Sequence, residues 1–72
     1  MEKRIEIMER RGQSPEMEFV LVECNGYNED NERIIQFSRT YFPFPVGTSD
    51  ADVIEQVRSD YYHIYWEEFP NF

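Results

Sequence analysis

Four consecutive apolar residues, Phe19-Val20-Leu21-Val22, constrain this chain more than any other feature. Side chains alternate across a strand, so a run without a polar residue is apolar on both faces. Such a strand belongs in the middle of a sheet, or in a sheet covered on both sides. The flanking residues predict a strand from about 17 to 24 that ends at Cys24. The rest of the chain must then supply its neighbours and its covers.

Arg33 to Phe42 is the clearest neighbour. Ile35, Phe37 and Tyr41 share one face, with Arg39 intruding, and Ile34, Gln36, Ser38 and Thr40 form a mostly polar second face. Pro43 and Pro45 are expected to stop the ladder, with residues 42–45 running extended and Phe42 or Phe44 closing one end of the core. Between the two strands lies Asn25-Gly-Tyr-Asn-Glu-Asp-Asn-Glu32. Asn25-Gly26 is a strong hairpin signal, but the polar residues after it predict a loop longer than two residues. Residues 1–11 carry two patterns. Ile5 and Ile7 alternate with charged residues, whereas Met1, Ile5 and Met8 sit at helical spacing. The reading taken is a strand from about 4 to 10, because the β-rich segment needs a partner; a helix is the alternative. Gly12-Gln13-Ser14-Pro15 is turn chemistry.

The last third of the chain predicts an amphipathic helix over about 50–68. Gly47 allows the turn into it, Ser49 is the expected N-cap, and Asp50 and Asp52 suit the positive end of the helix dipole. Val53, Ile54, Val57, Tyr61, Ile64 and Tyr65 form an apolar stripe. Tyr62 and Trp66 fall beside it, where polar residues are expected. The predicted fold class is therefore α+β: a single domain over 1–72, with a small antiparallel sheet of two to three strands packed by one C-terminal helix.

A 72-residue core is marginal, since burial roughly cancels the cost of ordering the chain. One cysteine, Cys24, precludes an internal disulfide, and one histidine, His63, precludes a clustered metal site. His63 and Glu67 are an incomplete ligand pair. Self-association is the remaining aid. If the helix covers one face of the central strand, Phe19 and Leu21 or Val20 and Val22 lack a cover, and a second copy is expected there. No metal and no cofactor are expected. No nucleophile with a base in reach is visible, so no catalytic residues are assigned.

Fifteen acids stand against seven bases, a net charge of -8. Counterion release cannot drive such a chain onto DNA or RNA unless its bases are segregated, and Glu2, Glu6 and Glu9 interleave with Lys3, Arg4, Arg10 and Arg11; an acidic chain suits a basic protein surface. The N-terminal MEKRIEIMERR has no apolar core, so no secretory leader is expected. No apolar run approaches the ~20 residues a bilayer requires, so no membrane partner is expected. The lone thiol points to the cytoplasm.

Two groups are candidates for partner binding. Arg58, Tyr62 and Trp66 follow i,i+4 spacing and are the residue types enriched at binding hot spots. Asp50, Asp52 and Glu55 could meet basic groups or imitate phosphates. The expectation is a small non-catalytic binding protein, an inhibitor or modulator that occupies a basic protein surface and forms a homodimer or higher homo-oligomer. Size, acidity and aromatic content match inhibitors made by viruses and mobile elements, an analogy of class alone. The alternatives are an assembly subunit, or an oligomer that sequesters a small nucleotide through Arg33 or Arg39.

Overall fold

The computed structural model describes residues 1–62. Three antiparallel strands, β1 (Glu2–Gly12), β2 (Met17–Tyr27) and β3 (Arg33–Pro45), form a sheet in the order β1-β2-β3. A helix, α1 (Asp50–Val57), follows and continues into one wider π-type turn at Arg58–Tyr62. The fold is α+β, and the ambiguous first segment is a strand. The two-faced run does lie in the central strand. The expected helix to residue 68, including Ile64, Tyr65 and the His63/Glu67 pair, lies in part outside the described residues. Among the described residues no helix is long and apolar enough to cross a membrane.

All three strands are longer than expected. Asn25-Gly26 lies inside β2 rather than at its end, opposite Arg4 and Lys3. Glycine is required there by crowding: a Cβ at Gly26 would stand 2.5 Å from Met1 Sδ and 2.7 Å from Ile35 Cγ2. The chain reverses later, at Asn28, whose side-chain oxygen accepts from the backbone N–H groups of Asp30 (2.9 Å) and Glu32 (3.0 Å). Asn31 takes the left-handed conformation this turn needs (φ 63°). Pro43 and Pro45 do not stop β3, which pairs as far as Met17↔Pro45. As an edge strand, β3 can turn donor-less nitrogens away from the ladder. Pro45 to Thr48 then form a turn, closed by Thr48 N–H to Pro45 C=O (3.2 Å), with Gly47 at φ 89°.

The core lies between the sheet and α1. Val20, Val22 and Cys24 meet Phe44, Val53, Val57 and Tyr62, with Ile5, Ile7, Phe37 and Phe42 packed around them. Ser49 is the N-cap: its hydroxyl accepts from Asp52 N–H at 3.1 Å. Asp50 in the first turn meets Arg10 of β1 at 2.6 Å, which ties the start of the helix to the sheet.

The helical stripe departs from its predicted phase. Val53 and Val57 are four residues apart, as expected, but the next buried residue is Tyr62, five residues on. The π-type turn inserts one residue per turn, so Tyr62 enters the core and Tyr61 swings outward. Tyr62 is fully buried, and its hydroxyl donates to the Val22 carbonyl (3.2 Å). That carbonyl lies beside the register break of β1 between Ile7 and Glu9.

Candidate protein-binding surface

The sheet face away from the helix is closed by the chain itself. Leu21, Glu23 and Asn25 of β2 point to this face and are buried. Glu6 and Glu23 are directly opposite each other across β1 and β2, a pairing that repels unless something neutral or cationic intervenes. The Asn25 amide intervenes, donating to Glu6 and to Glu23 at 3.0 Å each. Arg39 bonds the second oxygen of Glu23, and Arg33 stands 3.5 Å from the first. The carboxyl of Glu23 is held below the usual range, chiefly by the Asn25 amide and then by the arginines, against the opposing effect of burial. Carboxylates only accept, so Asn25 must turn its NH2 toward them, and its Oδ1 is left without a partner.

The ends of this face are closed by aromatic–arginine pairs. The Tyr27 hydroxyl donates to Glu6, and Arg4 lies 4.1 Å over the Tyr27 ring. The Tyr41 hydroxyl donates to Glu9, and Arg11 lies 5.5 Å over the Tyr41 ring. Both tyrosine pKa values are raised, first by these bonds to carboxylates, since a phenolate could not donate them.

This corrects the expected self-association surface. Val20 and Val22 lie under the helix and Leu21 lies under long side chains of the edge strands, all three buried within one chain. Only Phe19 of the four is half-buried. The sequence shows these polar groups but not that Tyr41, Arg39 and Glu9 lie beside Leu21 and cover it. The one visible signal was Glu23, a charge interrupting an apolar strand.

The partner-binding stripe is also revised. Tyr62 is a core residue, for the phase reason given above, and offers no surface. Arg58 is exposed. Trp66 lies outside the described residues. The exposed aromatic at the end of the helix is Tyr61, with 58% of its surface accessible, packed edge-on against Phe42 (ring centroids 4.9 Å apart).

Asp52 and Glu55 are exposed on the helix, together with Asp60. Asp50 differs, because Arg10 pairs with it. The charge balance is informative. Arg4, Arg10, Arg11, Arg33 and Arg39 each stand within ion-pair distance of a carboxylate. Among the described residues no cation stands at that distance from Asp52, Glu55 or Asp60. The five arginines of the sheet are thus paired within the fold, and the helix, with Arg58 among Asp50, Asp52, Glu55 and Asp60, displays a net negative charge.

Beside those acids runs a cleft between β3 and α1. One part, about 370 Å³, is lined by Phe42, Pro43, Phe44, Gln56, Val57, Asp60 and Tyr61. A second part, about 520 Å³, shares Phe44, Gln56 and Asp60 with the first and adds Asp52, Glu55 and Ser59. Cys24 is buried away from it, its thiol pushed up to about 11 by burial, which makes it a poor nucleophile. Among the described residues no group of acidic, cysteine or histidine side chains is placed to hold a metal. Comparison with protein-family models, with curated proteins and with solved structures finds no match.

Proposed function

We propose that this chain is a small, acidic, non-catalytic binding protein that occupies a basic surface of a protein partner. The observation that carries this reading is the division of charge. The arginines of the sheet are paired internally, and Asp52, Glu55 and Asp60 face solvent on one helix, where among the described residues no cation, Arg58 included, stands within ion-pair distance of them. Direct binding to nucleic acid is disfavoured, because phosphate would have to displace carboxylates from each arginine of the sheet. Sequestration of a nucleotide is disfavoured for the same reason: Arg33 and Arg39 both serve Glu23. A cytoplasmic setting suits the lone buried thiol.

The expected result is that immobilised protein retains a basic protein from lysate at low salt and releases it at high salt, as screening of exposed charge requires. Reversal of two charges together, Asp52→Lys and Glu55→Lys, should weaken retention by about tenfold or more, with the circular dichroism spectrum unchanged. Retention that ignores both salt and this double reversal contradicts the proposal.

A second reading, association with another copy, is favoured by the outer edge of β1, which is unpaired among the described residues and has no proline. The open-face row of β1 reads Glu2, Arg4, Glu6, Glu9, Arg11, because the register break at Met8 shifts the alternation. Turned end for end, a second β1 sets Glu2 against Arg11 and Arg4 against Glu9, two opposite-charge pairs on each side of a central Glu6–Glu6 pair that opposes them. Sedimentation at micromolar concentration should then give a multiple of 8.8 kDa that dissociates when Arg4→Glu is introduced. A monomer at that concentration sinks this reading.

A further inference from the structure

The cleft between β3 and α1 joins two chemistries. Its upper part is apolar, built from Phe42, Pro43, Phe44 and Val57 with the ring of Tyr61 as one wall. Its lower part is acidic, with Asp52, Glu55 and Asp60 on the helix side and Phe44, Pro45 and Thr48 opposite. Asp60 and Phe44 belong to both parts, so the two are continuous. Tyr61 is the most exposed large apolar side chain of the described residues, and Phe42 fixes its ring by edge-on contact.

We propose that this cleft receives an extended segment of the partner protein in which an aliphatic side chain is followed by two or three Lys or Arg residues. This deepens the acidic-surface reading above and rests on it. Charge complementarity sets the basic half of the ligand: Asp52, Glu55 and Asp60 line one side of the cleft, no cation is among its lining residues, and positive groups are favoured opposite them. The apolar half sets the anchor, because a basic segment without one would leave Tyr61 and Phe42 wet. The prolines decide how the segment lies. Pro43 and Pro45 carry no N–H, so this stretch of β3 cannot accept an added strand through a continuous ladder. The segment must be read by its side chains, and a polyproline-type conformation, which needs no ladder, suits an aromatic and proline-lined surface.

The probe is the peptide acetyl-PPLPRRK-amide, titrated into isotope-labelled protein and followed by amide chemical shifts. Two controls accompany it: PPGPRRK, without the anchor, and PPLPEEE, without the positive charge. The expected result is shifts centred on Phe42, Asp60 and Tyr61. Affinity should fall by about tenfold or more with either control peptide, with Tyr61→Ser, and with Asp60→Lys, each variant retaining its circular dichroism spectrum. Equal binding of PPLPRRK and PPGPRRK, unaffected by Tyr61→Ser but lost in the Asp52→Lys, Glu55→Lys double variant, overturns the cleft and leaves the acidic-surface reading standing. No binding of either basic peptide while the basic protein is still retained overturns the cleft in the same way. Loss of that retention as well overturns both. Sedimentation of Tyr61→Ser is the remaining arm: a dimer that becomes a monomer places a second copy in the cleft and overturns the peptide proposal.

Discussion

Tyr62→Ala is expected to unfold the chain, whereas Tyr61→Ala, one residue away, is expected to leave it folded. Tyr62 is fully buried against Val20, Val22, Val53 and Val57, and its hydroxyl is bonded to the Val22 carbonyl. Truncating a buried aromatic residue costs about 3–5 kcal/mol, through lost burial and the cavity left behind. A domain of this size has roughly 4–10 kcal/mol in total, at about 0.05–0.15 kcal/mol per residue, so the change removes from about a third to all of it. Tyr61 loses only its exposed edge contact with Phe42, about 0.5–1.5 kcal/mol. Thermal melts by circular dichroism check both variants. Equal damage from the two would mean that the helix keeps its α-helical phase through residue 61 and that the π-type turn is misplaced.

Glu23→Gln is expected to destabilise by about 2–3 kcal/mol and to flatten the acid limb of stability. The charge-assisted hydrogen bond to Arg39, worth about 1.5–3 kcal/mol in protected settings, is weakened and the ion-pair contact with Arg33 at 3.5 Å is lost, and half exposure of both arginines reduces these contributions. The Gln amide would also bring a donor against the Asn25 amide. The sign of the pH effect follows from the lowered native pKa. The unfolded chain takes up a proton near the ordinary glutamate value of ~4.3, before the native chain does. The stabilisation is therefore complete above that value, and is lost as pH falls through the depressed native one. Urea midpoints measured from neutral pH down to about pH 3 should show a steep fall in the parent chain and a shallower one in the variant. Parallel curves would assign the acid sensitivity to other carboxylates.

Strand order, the turn at Gly12–Pro15 and the Ser49 cap were legible because each rests on local chemistry: alternation in β1 and β3, Ser14-Pro15 between strands, a hydroxyl before a helical stripe. What was not legible depends on neighbours distant in sequence. Asn25-Gly26 has the composition of a turn, and only the approach of Met1 and Ile35 makes it strand. Pro43 and Pro45 look like stops until β3 is known to be an edge. The exchange of Tyr61 and Tyr62 needs a local widening that no spacing rule contains, and it moved one member of the binding stripe into the core. The candidate cleft was half visible, in Asp52 and Glu55. Its apolar half was not, because Phe42 and Tyr61 are 19 positions apart and each reads locally as core.

The carboxylate of Glu23 also bears on how the chain finds its pairing. Sliding β2 by a single position would exchange its two sides, carrying Glu23 and Asn25 beneath Val53 and Val57 while Val22 moved among the arginines. A charge stranded in that oily space would cost several kcal/mol, more than the remaining contacts could repay. A uniformly apolar β2 would tolerate the slide much better, since either side could then face the helix. In a sheet with only three members, where few contacts police alignment, one acid in the middle strand makes the wrong alignment unaffordable, and folding should proceed to one register rather than to a mixture of two.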